Sequence, residues 1–466
     1  MALPGMKLPL HLAAIALLAA LCGCVTVDEE ARNAIAALSR GDDATAIAWS
    51  DELADGSHYS QNLGFVESGR SHMLAGDYQA ASARFRAAVD SAVERSETAP
   101  KMKLSDWGNT ALSSTVTDDR TRQYYLPPYE INLALEYGII AQLFAGRRDD
   151  ALIDARLSIY VQDTLAETCG ADLAKEPEGA SDTTRSLAAT QSANLEEMIA
   201  STRNSWENPA LWWLSGVLLE SNGEFDMAWQ SYRKAAAIKP ENPFFAADAA
   251  RANNGAATPQ AGKAKLVVVY DQDFVPMRES LEIPVPLYTG FAIQIPKYPS
   301  VGFVENRVSV AGVSGAKEAS PAVDVRSLAA RDLKEQLPGI ITRNVTRAAV
   351  QAGAQVAVNA AGNEYAQLAV FLGNLVVSAM RSADTRSWRT LPASQQVWCD
   401  ADMKPGVYDV AVSVNGRIVT ARVPLAPGET RLLWLADTGA IVRGASAAVG
   451  VVGAPVMDLS GKEKYQ

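Results

Sequence analysis

The stretch from Trp212 to Pro240 constrains the fold of this chain more than any other, because its sequence describes two helices packed against each other. Large side chains recur at helical spacing and alternate with small ones: Trp212, Gly216, Leu219, Phe225, Ala228, Tyr232 and Ala235. Gly223 lies between the two halves, where a tight turn favours a positive φ, and Pro240 follows the second half. The pattern therefore predicts an antiparallel helical hairpin.

This pattern resembles the tetratricopeptide repeat (TPR), a helix-turn-helix unit of about 34 residues. Ser215 departs from it, since the repeat prefers leucine at that place. One hairpin cannot bury both of its faces, so further copies are expected. A copy occurs at residues 62–95, and weaker ones occur at 28–55 and 132–160. We therefore expect an N-terminal all-α array of TPR-like repeats.

The resemblance also implies a groove, lined by the first helix of each hairpin, in which a protein or peptide partner binds. On that geometry six residues are predicted to contact the partner: Val66, Arg70, Met73, Trp213, Val217 and Glu220. Packing in the core is the alternative interpretation for Trp213.

The N-terminus has the composition of an export signal. Lys7 precedes an apolar run from Leu8 to Leu21, and Cys22, Gly23 and Cys24 follow. The end of this run resembles the bacterial lipobox, which implies a lipoprotein signal peptide at 1–23 and acylation of Cys24. An ordinary signal peptide is the alternative. Val25 follows the cysteine rather than Asp, so we expect a protein anchored in the outer membrane and facing the periplasm.

Composition and motifs argue against several functions. The net charge of −11 disfavours a nucleic-acid partner, which requires a basic face. After the signal peptide only His58 and His72 remain as histidines, and no zinc, phosphate-loop or nucleophile-elbow motif is present. We therefore predict no catalytic residues, no metal and no cofactor. Cys169 and Cys399 fall in different predicted regions, so independent thiols are expected.

The order of patterns along the chain predicts a multidomain protein. The TPR-like repeats occupy 24–255, with insertions at about 96–130 and 165–205, and a linker follows at 256–264. An α+β domain then spans 265–440. The remaining residues, 441–466, are rich in glycine and alanine and are predicted to form a C-terminal tail.

Within the C-terminal domain, strands are predicted on both sides of a helical stretch. They are expected at 265–270, 286–299, 304–313, 396–398, 406–414, 417–423 and 430–435. Helical spacing covers 322–361, where Pro338 is expected to kink or break the helix, and 365–380. Polar residues interrupt the apolar sequence from Val350 to Met380, so we expect a buried helical hairpin rather than a membrane span. A surface for a partner or lipid is the alternative.

The segment from Ala383 to Pro392 reads ADTRSWRTLP. With the lipobox and the degenerate repeats, it makes the chain resemble a family of uncharacterised bacterial TPR lipoproteins that share an ADTRSWxxLP segment. The resemblance implies an envelope partner, since members occur beside lipoproteins related to the curli secretion channel and to the activator of penicillin-binding proteins. Asp384, Arg386 and Trp388 form either a structural junction or an exposed ligand site.

We therefore expect a non-catalytic, lipid-anchored scaffold whose repeats bind an envelope protein or peptide, including a neighbouring lipoprotein, in envelope assembly or secretion. One alternative is a module in the C-terminal domain that binds peptidoglycan or carbohydrate, for which exposed aromatic residues such as Trp388 and Trp398 would be needed. The other is a cell-wall hydrolase.

Overall fold

The structure is a computed structural model that describes most of the chain after the first helix begins. The described ranges are 27–56, 58–98, 122–172, 180–199, 202–285, 292–311, 317–360, 383–414, 416–450, 456–459 and 463–464. The predicted signal peptide, Cys24 and the predicted helix at 365–380 lie outside these ranges.

The described residues before the first strand form helices. These are α1 (Val27–Arg40), α2 (Asp43–Gly56), α3 (Gln61–Ala75), α4 (Tyr78–Thr98), α5 (Pro128–Phe144), α6 (Arg148–Asp172), α7 (Asp182–Ala193), α8 (Glu196–Ile199), α9 (Pro209–Ser221), α10 (Phe225–Ile238) and α11 (Pro243–Asn253). Four antiparallel pairs, α1/α2, α3/α4, α5/α6 and α9/α10, correspond to the four stretches with the hairpin pattern. The prediction of a helical N-terminal region is confirmed.

The C-terminal part contains strands and one long helix. They are β1 (Ala264–Gln272), β2 (Glu279–Pro284), β3 (Ala292–Lys297), β4 (Arg307–Val310), β5 (Ser320–Asp324), α12 (Val325–Ala360), β6 (Ser394–Met403), β7 (Gly406–Val414), β8 (Arg417–Leu425), β9 (Thr430–Asp437), β10 (Val442–Ala448), β11 (Val456–Asp458) and β12 (Glu463–Lys464). The α+β assignment of this region is therefore confirmed.

A seven-stranded sheet organises the C-terminal part. Its strand order is β12-β11-β10-β9-β1-β6-β5, and β1 pairs in parallel with β9 and antiparallel with β6. All nine residues of β1 are buried, as expected for the Lys265–Tyr270 run of β-branched and apolar residues at the centre of a covered sheet. Two smaller sheets, β2-β3 and β4-β7-β8, complete the region.

One hydrophobic cluster joins the helical region to the sheet. It includes Leu63 and Phe85 from the first hairpins, Trp213 from the last, and Val268 and Trp434 from the sheet. The two regions are therefore successive along the chain but share a core, and the linker predicted at 256–264 does not separate two independent cores. Ala264, the last residue of that linker, already belongs to β1.

One other sequence prediction needs correction. Residues 441–466 are not simply a tail, because β10 pairs with β9 and buries Ala445 and Ala447. The predicted insertion at 165–205 contains the end of α6 together with α7 and α8. Of the two effects expected of Pro338, the break does not occur, because α12 continues through this residue, with Leu337 and Ile341 buried on either side of it.

Candidate functional site

The six residues predicted to line an open groove are all buried within the chain. Val66, Arg70 and Met73 lie on α3, Trp213, Val217 and Glu220 lie on α9, and none is more than 6% exposed. The prediction that these residues contact a partner is therefore wrong for this structure. Arg70 and Glu220 are bonded to β1, and the segment 383–393, which we call the crossing segment, lies against α3. Trp213 packs against Phe245 on α11, so core packing, the alternative interpretation for this residue, applies.

Arg70 attaches the centre of the sheet to the helices. Its Nη2 donates to Asp271 Oδ2 on β1 at 2.8 Å. Asp271 also accepts hydrogen bonds from Trp434 Nε1 at 2.8 Å and from Gln395 Nε2 at 2.9 Å. The guanidinium carbon of Arg70 lies 4.3 Å from the ring centroid of Tyr137 on α5. These contacts join α3, α5 and three strands around one buried ion pair.

Glu220 has the corresponding role on α9. It accepts hydrogen bonds from Lys265 Nζ on β1 at 3.1 Å, from Tyr232 OH at 2.7 Å and from Arg251 Nη2 at 2.9 Å. Burial alone would raise the pKa of this carboxyl, but the Lys265 and Arg251 cations lower it below the ordinary value. Glu220 is therefore an ionised anchor for the beginning of β1 rather than a free contact for a partner.

The crossing segment is held through its backbone. Glu67 on α3 accepts the N–H of Arg389 at 2.7 Å and that of Thr390 at 3.1 Å, and it also accepts the Thr390 hydroxyl at 2.7 Å. Glu130 on α5 accepts the N–H of Trp388 at 2.9 Å. The first helices of two neighbouring hairpins thus hold the backbone of a segment without helix or strand structure, and that segment belongs to the same chain.

The residues of the ADTRSW motif form a structural junction within this segment. Arg386 Nη2 donates to Asp384 Oδ2 at 2.8 Å, and Arg386 Nη1 donates to the carbonyl oxygens of Tyr59 at 3.0 Å and Arg122 at 2.9 Å. The Trp388 ring is fully buried against Phe85 and Tyr137. The interpretation of this motif as an exposed ligand site is therefore wrong for Trp388.

The crossing segment is an integral part of the core. Trp388 and Leu391 are both completely buried, and burial of such side chains contributes roughly 2–3 kcal/mol each. Release of the segment would also leave Glu67 and Glu130 in an apolar interior without the hydrogen-bond donors that the segment supplies. The arrangement therefore does not resemble a peptide that exchanges readily with an external ligand.

Trp398 is also buried, on β6 beside Phe244. The hypothesis of a glycan-binding C-terminal module named Trp388 and Trp398 as its exposed aromatic residues. Neither side chain reaches the surface, so the prediction that they contact a sugar ring is wrong.

Two buried carboxyls have strongly perturbed acidity. Burial raises the pKa of Glu130 and of Glu136 to about 7. Both are completely buried, and each accepts hydrogen bonds from other residues of the core. Glu136 accepts them from Asn208 Nδ2 at 2.7 Å and from Gln395 Nε2 at 2.9 Å. Their raised pKa therefore follows from burial in the core, which outweighs the lowering effect of these donors. A structural position of this kind can shift acidity as an active site does.

Two further properties concern only the described residues. No group of three or more histidine, cysteine, aspartate or glutamate side chains among them is arranged to hold a metal ion. None of their helices combines the length and the apolar composition that crossing a membrane requires.

Three exposed apolar side chains lie on the second helices of the last two hairpins. Ile153 and Tyr160 on α6 are 52% and 63% exposed, and Phe225 at the start of α10 is 53% exposed. The two helices are joined at this place by Arg156 and Glu224, whose Nε and Oε2 atoms are 3.0 Å apart. We call Ile153, Tyr160 and Phe225 the convex patch.

The convex patch was missed by reasoning that placed the partner on the first helices. A signal was present, because Ile153 and Tyr160 are seven residues apart and so lie on one face of a helix. The signal is ambiguous, because apolar residues at helical spacing normally pack inwards.

Comparison of the chain with models of protein families, with curated proteins and with solved structures finds no match in any of the three.

Proposed function

We propose that this protein is a non-catalytic scaffold, anchored by lipid at Cys24 in the outer membrane and facing the periplasm, whose TPR-like helical region binds an envelope protein or peptide. The anchor is supported by the sequence Leu21 to Cys24 after an apolar run, which lies outside the described residues. A neighbouring lipoprotein is the partner that the resemblance of the ADTRSW segment favours.

The TPR-like character of the hairpins is supported by how their helices approach each other. A Cβ added at Gly69 would lie 2.7 Å from the Phe85 ring, and one at Gly216 would lie 2.7 Å from the Tyr232 ring. The same small-against-large contact therefore occurs in two hairpins. Gly76 and Gly223 end the first helix of each pair at φ 83° and 81°, a conformation that favours glycine.

The convex patch is the observation that supports a binding surface on the second helices. The face normally used by such repeats is filled by β1 and the crossing segment, so a partner must bind elsewhere. Large apolar side chains that are more than half exposed and lie near one another are typical of interaction sites. The patch extends across two neighbouring hairpins, as expected for a scaffold that presents repeats to one partner.

The test is an affinity purification of the full-length lipidated protein in mild detergent, with mass spectrometry of what it retains. The variant Ile153→Ser/Tyr160→Ser/Phe225→Ser is compared with Val407→Ser/Ile418→Ser, which removes side chains that are also more than half exposed but lie on β7 and β8. The proposal predicts an envelope protein that is retained by the wild type and by the control variant and lost by the patch variant. Equal retention by both variants would contradict the assignment of the patch.

Membrane attachment is tested separately. A Cys24→Ala variant is expected to leave the membrane fraction, while the patch variant remains there. Continued membrane fractionation of Cys24→Ala would contradict the lipid anchor.

A further inference from the structure

The distance between the lipid anchor and the folded body is limited by the number of residues between them. α1 begins at Val27, and only Val25 and Thr26 separate it from Cys24. An extended chain spans at most about 3.6 Å per residue, so the Cα of Cys24 is within about 11 Å of the Cα of Val27. This distance between Cys24 and Val27 is close to the Debye length at physiological ionic strength, which is about 8 Å. It is small compared with the dimensions of the folded body.

The beginning of α1 is fixed to that body. Asp28 Oδ2 accepts the hydroxyl of Thr385 at 2.9 Å, and Asp28 Oδ1 accepts Arg389 Nη2 at 2.7 Å. The Arg389 side chain is itself buried, and Ala31 and Ala34 on the next turns of α1 are buried as well. The first turn is therefore held by the crossing segment, and the short tether leads directly to a rigid surface.

An exposed aromatic residue is linked to the first turn of α1 through the crossing segment. Arg386, the neighbour of Thr385, donates from Nη1 to the carbonyl oxygen of Tyr59 at 3.0 Å. The Tyr59 side chain is 50% exposed. Tyrosine has an apolar ring and a polar hydroxyl, and such residues are enriched where a protein meets the headgroup layer of a bilayer.

We propose that the two-residue tether, Val25 and Thr26, holds the face around Asp28 and Tyr59 against the bilayer that carries the lipids of Cys24, with the Tyr59 ring at the level of the headgroups. This inference rests on the lipid anchor proposed above. Glu29 and Glu30 on α1 are exposed, so attraction to an anionic bilayer does not produce the contact. The length of the tether is therefore the variable to change.

The test uses the full-length lipidated protein in vesicles of phosphatidylethanolamine and phosphatidylglycerol at a ratio of about 3:1. A photo-crosslinking side chain is introduced by Tyr59→benzoylphenylalanine and, as the control, by Gln230→benzoylphenylalanine. Gln230 is exposed on α10, in the fourth hairpin from the anchor, roughly 30 Å away if successive hairpins are about 10 Å apart. Lipid adducts on each peptide are measured by mass spectrometry after irradiation.

The proposal predicts a yield of lipid adduct at position 59 at least several-fold above that at position 230. Insertion of twelve Gly/Ser residues between Cys24 and Val27 gives the tether a mean span of roughly 20 Å and should reduce the yield at position 59 several-fold. Equal yields at 59 and 230, or a yield at 59 that the insertion leaves unchanged, would overturn the proposal.

Flotation of the vesicles separates this result from failure of the anchor. If the wild type floats and Cys24→Ala does not, the anchor is present, and the adduct yields then judge the orientation alone. If Cys24→Ala floats as well as the wild type, the lipid anchor itself is wrong, and the orientation argument fails with it.

Discussion

Replacement of Arg70 by methionine distinguishes attachment of β1 from contact with a partner. Arg70 Nη2 and Asp271 Oδ2 are 2.8 Å apart, and both side chains are almost completely buried. Methionine retains much of the aliphatic volume but leaves the carboxylate in the core without its cation. We therefore expect Arg70→Met to destabilise the fold. A residue that only contacts a partner would instead affect binding and leave stability unchanged.

The magnitude follows from the surroundings of the pair. Removal of one partner from a buried ion pair costs about 3–5 kcal/mol, because the remaining charge is uncompensated. Trp434 Nε1 and Gln395 Nε2 continue to donate to Asp271, which reduces the cost. Loss of the contact between the guanidinium and the Tyr137 ring adds about 1 kcal/mol. We expect a total decrease of about 4 kcal/mol in the free energy of unfolding.

Urea unfolding followed by tryptophan fluorescence measures this decrease. The matched control is Arg147→Met, whose ion pair with Asp150 is at the surface, with side chains 42% and 35% exposed, and should contribute less than about 1 kcal/mol. The double variant Arg70→Met/Asp271→Asn removes both charges and should lose less than the sum of its single variants. A decrease below about 1 kcal/mol for Arg70→Met, or additivity in the double variant, would refute the reasoning.

Three further predictions concern the same core and are checked by the same unfolding assay. An added Cβ at Gly64 would overlap the backbone of Ala54 on α2, so Gly64→Ala should cost about 1–3 kcal/mol, whereas Gly138→Ala, with its nearest neighbour at 3.6 Å, should be neutral or slightly stabilising. Burial raises the folded-state pKa of Glu130 to about 7, above the unfolded value near 4.5, so the folded state binds the additional proton between these pH values. The contribution of Glu130 to the free energy of unfolding is therefore full below pH 4.5 and is lost as the pH rises through 7. The loss is at most about 3 kcal/mol. Glu130→Gln should flatten this part of the plot of unfolding free energy against pH. Trp388→Ala should cost about 3–5 kcal/mol, and a cost below about 1 kcal/mol would show that the crossing segment is not part of the core.

The hairpins could be predicted because their determinants are local. Gly216 and Tyr232 are only sixteen positions apart in the sequence, and their contact requires nothing beyond the turn between them. Gly223 has the positive φ that its position between two helical patterns indicated. The strand β1 could be predicted for a similar reason, since a run of valines favours a covered strand.

The surroundings of Arg70 and Glu220 could not be predicted from the sequence. The same residue pattern on a helix face is compatible with burial by another protein and with burial by a distant segment of the same chain. Burial of Arg70 and Glu220 by a partner and burial by the chain itself require the same apolar and charged residues. The contacts that decide between them join distant positions, for example Glu67 with Thr390, which are 323 residues apart. No local pattern shows that an acidic residue on α3 accepts the backbone of a segment so far along the chain.

The sequence by itself determined the order of the elements, helices first and then strands on both sides of a helical stretch, since side-chain periodicity and turn residues act over a few positions. Only the tertiary structure decided that β1 and the crossing segment bind the inner face of the helices and that Ile153, Tyr160 and Phe225 on α6 and α10 are exposed. The physical reason is that a helix face is buried by whatever surface complements it. For α3 that surface lies far along the chain, as in the 201-residue separation of Arg70 and Asp271.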